Sequence, residues 1–177
     1  MENLTIRPSI RPARRADLPA LLGMVQALAR HHGDDPTATI DSLVRDLLGR
    51  DRWARGLVAC KGPDLLGYAL LCPLMRAQYG QRGMDLHHLF VVSHARGRGV
   101  GRALITAALA TARSSGASYL SVGTHPDNLA AAKAYQSCGF TPVPMSGQRF
   151  TLAIDAASNS YPPGAVIQTC PSPGPTA

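Results

Sequence analysis

Apolar positions recur along the chain in two periods, and the switches between them mark out its elements. Leu18, Leu21, Leu22, Val25 and Leu28 fall three or four apart. That spacing predicts a helix opened at Ala16-Asp17, with Pro19 tolerated in its first turn. Gly33-Asp34-Asp35-Pro36 breaks it, and Ile40, Leu43, Val44 and Leu47 repeat the spacing in a second helix. Thr37 or Thr39 caps that helix and Gly49 stops it. Ahead of both, the near repeats Ile6-Arg7-Pro8 and Ile10-Arg11-Pro12 each suit the end of a first strand.

From Trp53 the pattern becomes strand-like. Trp53 to Lys61 and Leu65 to Pro73 read as antiparallel partners around the turn Gly62-Pro63-Asp64. Arg76 to Gly83 is a polar loop, and Met84 to Val92, apolar on both faces near its end, reads as a central strand. Val100 to Ser115 returns to helical spacing, with Val100, Leu104, Ala107 and Ala108 as its inner stripe and Gly116 as its end. A strand from Tyr119 to Gly123 follows, then a short helix from Asn128 to Cys138 closed by Gly139. Phe140 to Pro144 and Arg149 to Ile154 form a final hairpin. This order predicts a mixed α/β fold in which residues 84–123 are a right-handed parallel crossover.

Composition bounds the rest. A chain of 177 residues, 45% hydrophobic and 16% charged, suits one domain with a sizeable core. We place that domain at residues 1–155 and read 156–177, which is rich in Pro, Ser, Gly and Ala and carries no charge, as a flexible tail. The formal net charge of +7 implies an anionic partner: nucleic acid, an acidic membrane face or a polyphosphate cofactor. Arginine supplies nearly all of it, since the lysines are Lys61 and Lys133 alone, and the guanidinium fork suits phosphate. Cys60, Cys72, Cys138 and Cys170 lack metal-ligand spacing, and Cys60 and Cys72 sit in apolar runs that suit buried thiols. The charged, proline-broken N-terminus is no signal peptide, and no apolar run is long enough to span a membrane. A cytoplasmic setting is expected.

The chemistry concentrates at Val91-Val92-Ser93-His94-Ala95-Arg96-Gly97-Arg98-Gly99-Val100-Gly101-Arg102-Ala103-Leu104-Ile105. Three alternating glycines lie where a strand gives way to a helix, so backbone N–H groups are bare at a positive dipole end. Arg96, Arg98 and Arg102 surround them, which makes a phosphate cradle; the plain alternative is a tight turn with a solvated basic face. A nucleotide P-loop is excluded because Gly101 is followed by Arg102-Ala103 rather than Lys-Ser/Thr. The dinucleotide fingerprint fails as well, with Arg102 or Leu104 where its last glycine belongs. Arg-x-x-Gly-x-Gly over Arg96, Gly99 and Gly101 does fit, and it resembles the coenzyme A pyrophosphate loop of the GNAT-type N-acetyltransferase superfamily.

The resemblance covers roughly residues 9–154. Its second element is Asn128, followed seven residues later by Tyr135 and shortly afterwards by Gly139-Phe140. It implies the GNAT acyl-CoA N-acyltransferase fold, a mixed, mostly antiparallel central sheet with helices on both faces. It also implies acetyl-CoA as cosubstrate, bound through Arg96, Gly97, Arg98, Gly99, Val100, Gly101 and Arg102. By the same analogy the backbone of Leu89, Phe90 and Val91 lines the cofactor arm and polarises the thioester, Asn128 holds the arm, and Tyr135 protonates the departing thiolate. Taken by itself, Tyr135 also suits the core face of an amphipathic helix.

Gln26-Ala27-Leu28-Ala29-Arg30 and Asp46-Leu47-Leu48 resemble the diamine and polyamine acetyltransferase branch, in which the strand position of His87 is a carboxylate. Here it is imidazole, which can serve as the base that accepts the amine's proton or can be structural. Strand alternation allows only one of His87 and His88 to face a cleft, and so argues against their sharing a metal ion. His94 and His125 read as loop residues, and Asp34, Asp35, Asp41 and Asp85 as an acidic lip or as solvated caps.

The expected activity is transfer of acetyl from acetyl-CoA to a primary amine of a small molecule, polyamine-like or other, by direct attack in a ternary complex. Alternatives are a protein N-terminal or lysine acetyltransferase and a non-catalytic acyl-CoA sensor. A basic nucleic-acid-binding domain fits less well, because aromatics are 5% and no stacking platform is visible. The resemblance implies a homodimer.

Overall fold

The computed structural model describes residues 5–143, and its elements follow the hydrophobic pattern closely. Strand β1 is Ser9–Pro12, the second of the two near repeats. Helix α1, Leu18–His32, carries Pro19 in its first turn and ends at Gly33, whose φ of 85° only glycine takes readily. Helix α2, Ile40–Leu43, is capped by Thr39, whose side chain accepts from the Ser42 N–H, and it widens into a π-helical turn over Val44–Leu48. Strands β2 (Arg55–Lys61), β3 (Asp64–Arg76) and β4 (Gln81–Val91) follow, then α3 (Val100–Ser114), β5 (Tyr119–Ser121) and α4 (Leu129–Ser137).

The five strands form one sheet in the order β1-β2-β3-β4-β5, antiparallel throughout except for the parallel pair β4–β5. The mixed sheet and its parallel crossover through α3 are therefore as expected. Two cores cover its two faces. Leu57, Ala59, Leu71 and Leu86 meet Val100, Leu104, Ile105 and Ala108 of α3 on one. Val58, Tyr68 and Leu70 meet Leu18, Leu21, Val25 and Leu28 of α1 and Leu43 and Leu47 on the other. Cys60 is buried and Cys72 and Cys138 are half-buried, all as thiols.

Three boundaries differ from the sequence reading. Trp53 lies outside β2. The predicted polar loop at 76–83 is half strand, because β3 and β4 stay paired down to Arg76 opposite Gln81, leaving one turn at residues 77–80. Backbone pairing holds that hairpin irrespective of its polar side chains. There Gly83 makes room for the Tyr119 ring, over which the Arg76 guanidinium sits 4.2 Å from the centroid. Finally, β5 ends at Ser121 rather than Gly123. Residues 140–143, the start of the predicted final hairpin, form no strand, and its second strand, the tail and Cys170 lie outside the described residues. No helix among those described is long and apolar enough to cross a membrane.

Two irregularities in β4 position the site. The β3–β4 ladder pairs Leu70 with His88 but Leu71 with Leu86, so His87 is an extra residue, a β-bulge. In addition β4 pairs β5 only from Gly83 to Asp85. Beyond Asp85 the two parallel strands part, and the β4 edge from Leu86 to Val91 has no strand partner on that side among the described residues.

Candidate active site

The gap between β4 and the chain leaving β5 opens into a cleft of about 450 Å³. Leu86 to Val91 form one wall, Gly123 to His125 and α4 the other, and the end of α1 contributes Leu28, His31 and His32. Of the residues singled out in the sequence, His87, Leu89, Phe90, Val91, Arg96, Asn128 and Tyr135 line this cleft together. They come from three separate stretches of chain, brought together by the crossover.

The glycine-rich loop lies beside it. Gly97 and Gly99 take φ of 68° and 90°, and Gly99 occupies the N-cap position of α3. The first N–H groups of a 15-residue helix therefore emerge without intrahelical partners, at the positive end of its dipole. Arg96 donates from Nε to the Val91 carbonyl at 2.9 Å and lies over Phe90, which ties the loop to the last residues of β4. The Arg98 carbonyl accepts from the Ile6 N–H at 2.9 Å. Gly97 to Arg102 do not themselves wall the cleft. Val100 is buried in the α3 core, so any part it takes in binding runs through its backbone. Arg102 reaches the Ser137 carbonyl and Oγ at 3.4 and 3.3 Å, fastening the start of α3 to the end of α4.

Asn128 caps α4, its Oδ1 accepting from the Ala131 N–H at 3.1 Å. One helical stretch further on, Tyr135 packs edge-on against Phe140 and turns into the cleft. Burial pushes its phenol above the ordinary range, so at neutral pH it holds its proton.

The bulge corrects the alternation argument for the histidine pair. With one extra residue inserted at His87, neighbouring side chains no longer point to opposite sides. The two imidazoles stack in parallel, 4.8 Å between centroids and 10° between planes. Both line the cleft. His87 is exposed, and its Nδ1 lies 3.6 Å from Asp85 Oδ2, whose other oxygen accepts from Ser121 Oγ at 2.9 Å. His88 is half-buried and its Nδ1 meets the Tyr68 hydroxyl at 3.1 Å. Burial, then the neighbouring His87 and His32, bring its pKa down to about 4, so it is neutral at physiological pH. No cluster of metal-ligating side chains occurs among the described residues.

Sequence reasoning missed His31, His32 and Tyr68. A histidine pair just before a helix-ending glycine was the available signal for the first two. Tyr68 reads as an ordinary core aromatic, and only its partner shows its importance. His125 lines the cleft although it reads as a loop residue, while His94 does not. Asp34, Asp35, Asp41 and Asp85 line neither this cleft nor a second one on the far side of the histidine pair.

Residues 20–140 match the profile of the acetyltransferase (GNAT) family. No curated protein gives a significant match. Among solved structures, the ribosomal-protein-alanine N-acetyltransferase of Brucella melitensis biovar Abortus 2308 superposes with a TM-score of 0.68 at 21% identity, covering 82% of this chain and 100% of its own. An aminoglycoside acetyltransferase from an uncultured soil metagenomic sample, in complex with sisomicin, gives a TM-score of 0.70 at 16% identity over 82% of this chain and 97% of its own. A transcriptional regulator from Bacillus halodurans C-125 gives 0.68 at 22% identity over 82% and 100%. These likenesses show a shared fold.

Proposed function

The chain belongs to the acetyltransferase (GNAT) family and is an acetyl-CoA-dependent N-acetyltransferase, and we propose that it acetylates a primary amine of a small molecule by direct transfer in a ternary complex. The observation that carries this reading is one cleft lined by the β4 edge beyond Asp85, which has no strand partner among the described residues, together with Arg96, Asn128 and Tyr135. Acetyl-CoA supplies the acetyl group as a thioester. In balance, the amine nitrogen forms a C–N bond to the acetyl carbon while the C–S bond breaks and its electron pair leaves with sulfur. The nitrogen sheds one proton and the sulfur gains one.

The chain's own residues divide that work. The N–H groups at the start of α3, with Arg96 to Arg102 around them, hold pyrophosphate. The β4 edge beyond Asp85 offers backbone donors and acceptors to the amides of the cofactor arm, as an added strand would use them. An N–H of Leu89 to Val91 polarises the thioester oxygen. Tyr135, kept protonated by burial, gives its phenolic proton to the leaving sulfur. His87 receives the amine's proton on its imidazole, whose Nδ1 stands 3.6 Å from the Asp85 carboxylate. Asn128, through its cap, fixes where α4 begins and faces the arm.

Within this class the sequence layout favours diamines and polyamines, whereas imidazole at His87 favours an amine of lower charge. The homodimer and the cytoplasmic setting rest on the resemblance and the sequence alone; light scattering tests the first. The test of the function is release of coenzyme A thiol from acetyl-CoA across diamines, polyamines, amino acids, aminoglycosides and short peptides, with acetyl-CoA binding followed by calorimetry. Binding together with turnover of a small amine is the expected result. Failure to bind acetyl-CoA, or preference for protein amines, overturns it.

A further inference from the structure

A second cleft, of about 570 Å³, opens on the side of the histidine pair away from α4. His87 and His88 are the wall it shares with the first. Its floor is apolar: Leu43, Leu47, Ala54 and Leu70 are all buried. Trp53 stands at its rim, the only tryptophan of the chain and 80% exposed. The indole is not on a loose loop, because the N–H groups of Trp53 and Ala54 both donate to the Asp46 carbonyl, at 3.0 and 3.1 Å. Among the described residues the rim's one carboxylate is Asp46, which Arg45 holds bidentately at 2.7 and 2.8 Å.

We infer that this cleft is the acceptor site and that Trp53 selects a monoamine carried on an aromatic or bulky apolar body, an arylalkylamine. The inference rests on reading the first cleft as the acetyl-CoA site. An indole at the rim of an apolar floor gains from burying a flat apolar group. The shared imidazole wall then receives the amine end, where the neutral nitrogen attacks the thioester. Among the described residues a polycation finds no unpaired carboxylate here to replace its lost hydration, and its burial is costly. The single positive charge of a monoamine disappears when it gives up its proton to react.

The test uses the full chain and two readouts. In the first, 2-phenylethylamine is titrated against the fluorescence of Trp53, the sole indole, without acetyl-CoA. A saturable change in emission, absent with spermidine at equal concentration, is expected; no change overturns the inference. In the second, kcat/KM is compared for 2-phenylethylamine, spermidine and a short peptide with a phenylalanine N-terminus. At least a tenfold preference for 2-phenylethylamine over both is expected, and preference for either rival overturns the inference. Trp53→Ala raises the KM for 2-phenylethylamine at least tenfold with acetyl-CoA affinity unchanged, while Trp53→Phe recovers most of the loss. An unchanged KM in Trp53→Ala also overturns it. Turnover restricted to other small amines sinks this inference and leaves the proposed function standing, whereas absence of acetyl-CoA binding sinks that function.

Discussion

The Tyr68 hydroxyl lies 3.1 Å from Nδ1 of His88, joining a fully buried side chain of β3 to one of the two imidazoles that line both clefts. Burial raises the phenol's pKa, so the hydroxyl keeps its proton and can donate it to the neutral ring. Tyr68→Phe keeps the ring packing but strips a half-buried nitrogen of its partner. We expect a loss of about 1–3 kcal/mol in a urea melt, the usual cost of an orphaned buried polar group. Loss of less than a few tenths shows that His88 finds another partner.

Stability falls with acid in two separable windows. His88 titrates near 6.5 in the unfolded chain and at about 4 in the native one, so between these values the unfolded chain binds more protons. Its contribution is complete above 6.5 and is lost as pH falls toward 4. Asp17, buried and gripped by Arg11 at 2.6 and 2.8 Å with a further bond from the Arg14 N–H, is held below its ordinary 3.8. Its contribution is intact above that value and is lost below it. Denaturation midpoints from pH 8 to 3 are expected to show both slopes. His88→Gln flattens the upper window only, and Asp17→Asn the lower only.

Tyr135 is a test of chemistry apart from binding. Its ring packs on Phe140, so Tyr135→Phe preserves the packing and removes only the hydroxyl. We expect acetyl-CoA affinity to stay within about twofold while kcat falls about 10²-fold, the scale of a lost general acid. Wild-type turnover in this variant removes Tyr135 from the mechanism.

Much of this was legible in the residues themselves. The apolar spacing of α1 and α3, Thr39 as a cap, Gly33 and Gly139 as stops, and the parallel crossover all appear as the sequence predicts. Asn128 and Tyr135 sit at fixed offsets on one short helix and so travel together into the cleft. What could not be read was the bulge at His87, because an inserted residue leaves no trace in composition and reverses the facing of its neighbour. The same holds for Trp53, whose place at a rim is fixed by two backbone bonds to Asp46 rather than by any side-chain pattern. The divergence of β5 from β4 is likewise a matter of where a ladder stops, which hydrophobic periodicity does not encode.

Two glycines make opposite predictions from the same substitution. Gly67 lies opposite Val91 in the β3–β4 ladder, and a Cβ there would stand 2.4 Å from the Phe90 carbonyl oxygen and 3.2 Å from the Val91 Cα. Those atoms are backbone, so the end of β4 itself must move, carrying the cleft wall with it. Gly67→Ala is therefore expected to cost about 1–3 kcal/mol, as overpacking does, and to weaken acetyl-CoA binding in calorimetry. Gly23 is exposed in the middle of α1, with nothing within 4 Å of its added Cβ and no positive φ. Gly23→Ala is expected to stabilise by about 0.5–1 kcal/mol, because alanine loses less backbone freedom in a helix, and to leave binding unchanged. If Gly67→Ala leaves the melting curve and acetyl-CoA binding unchanged, the close approach of Gly67 to β4 is not what shapes the cleft.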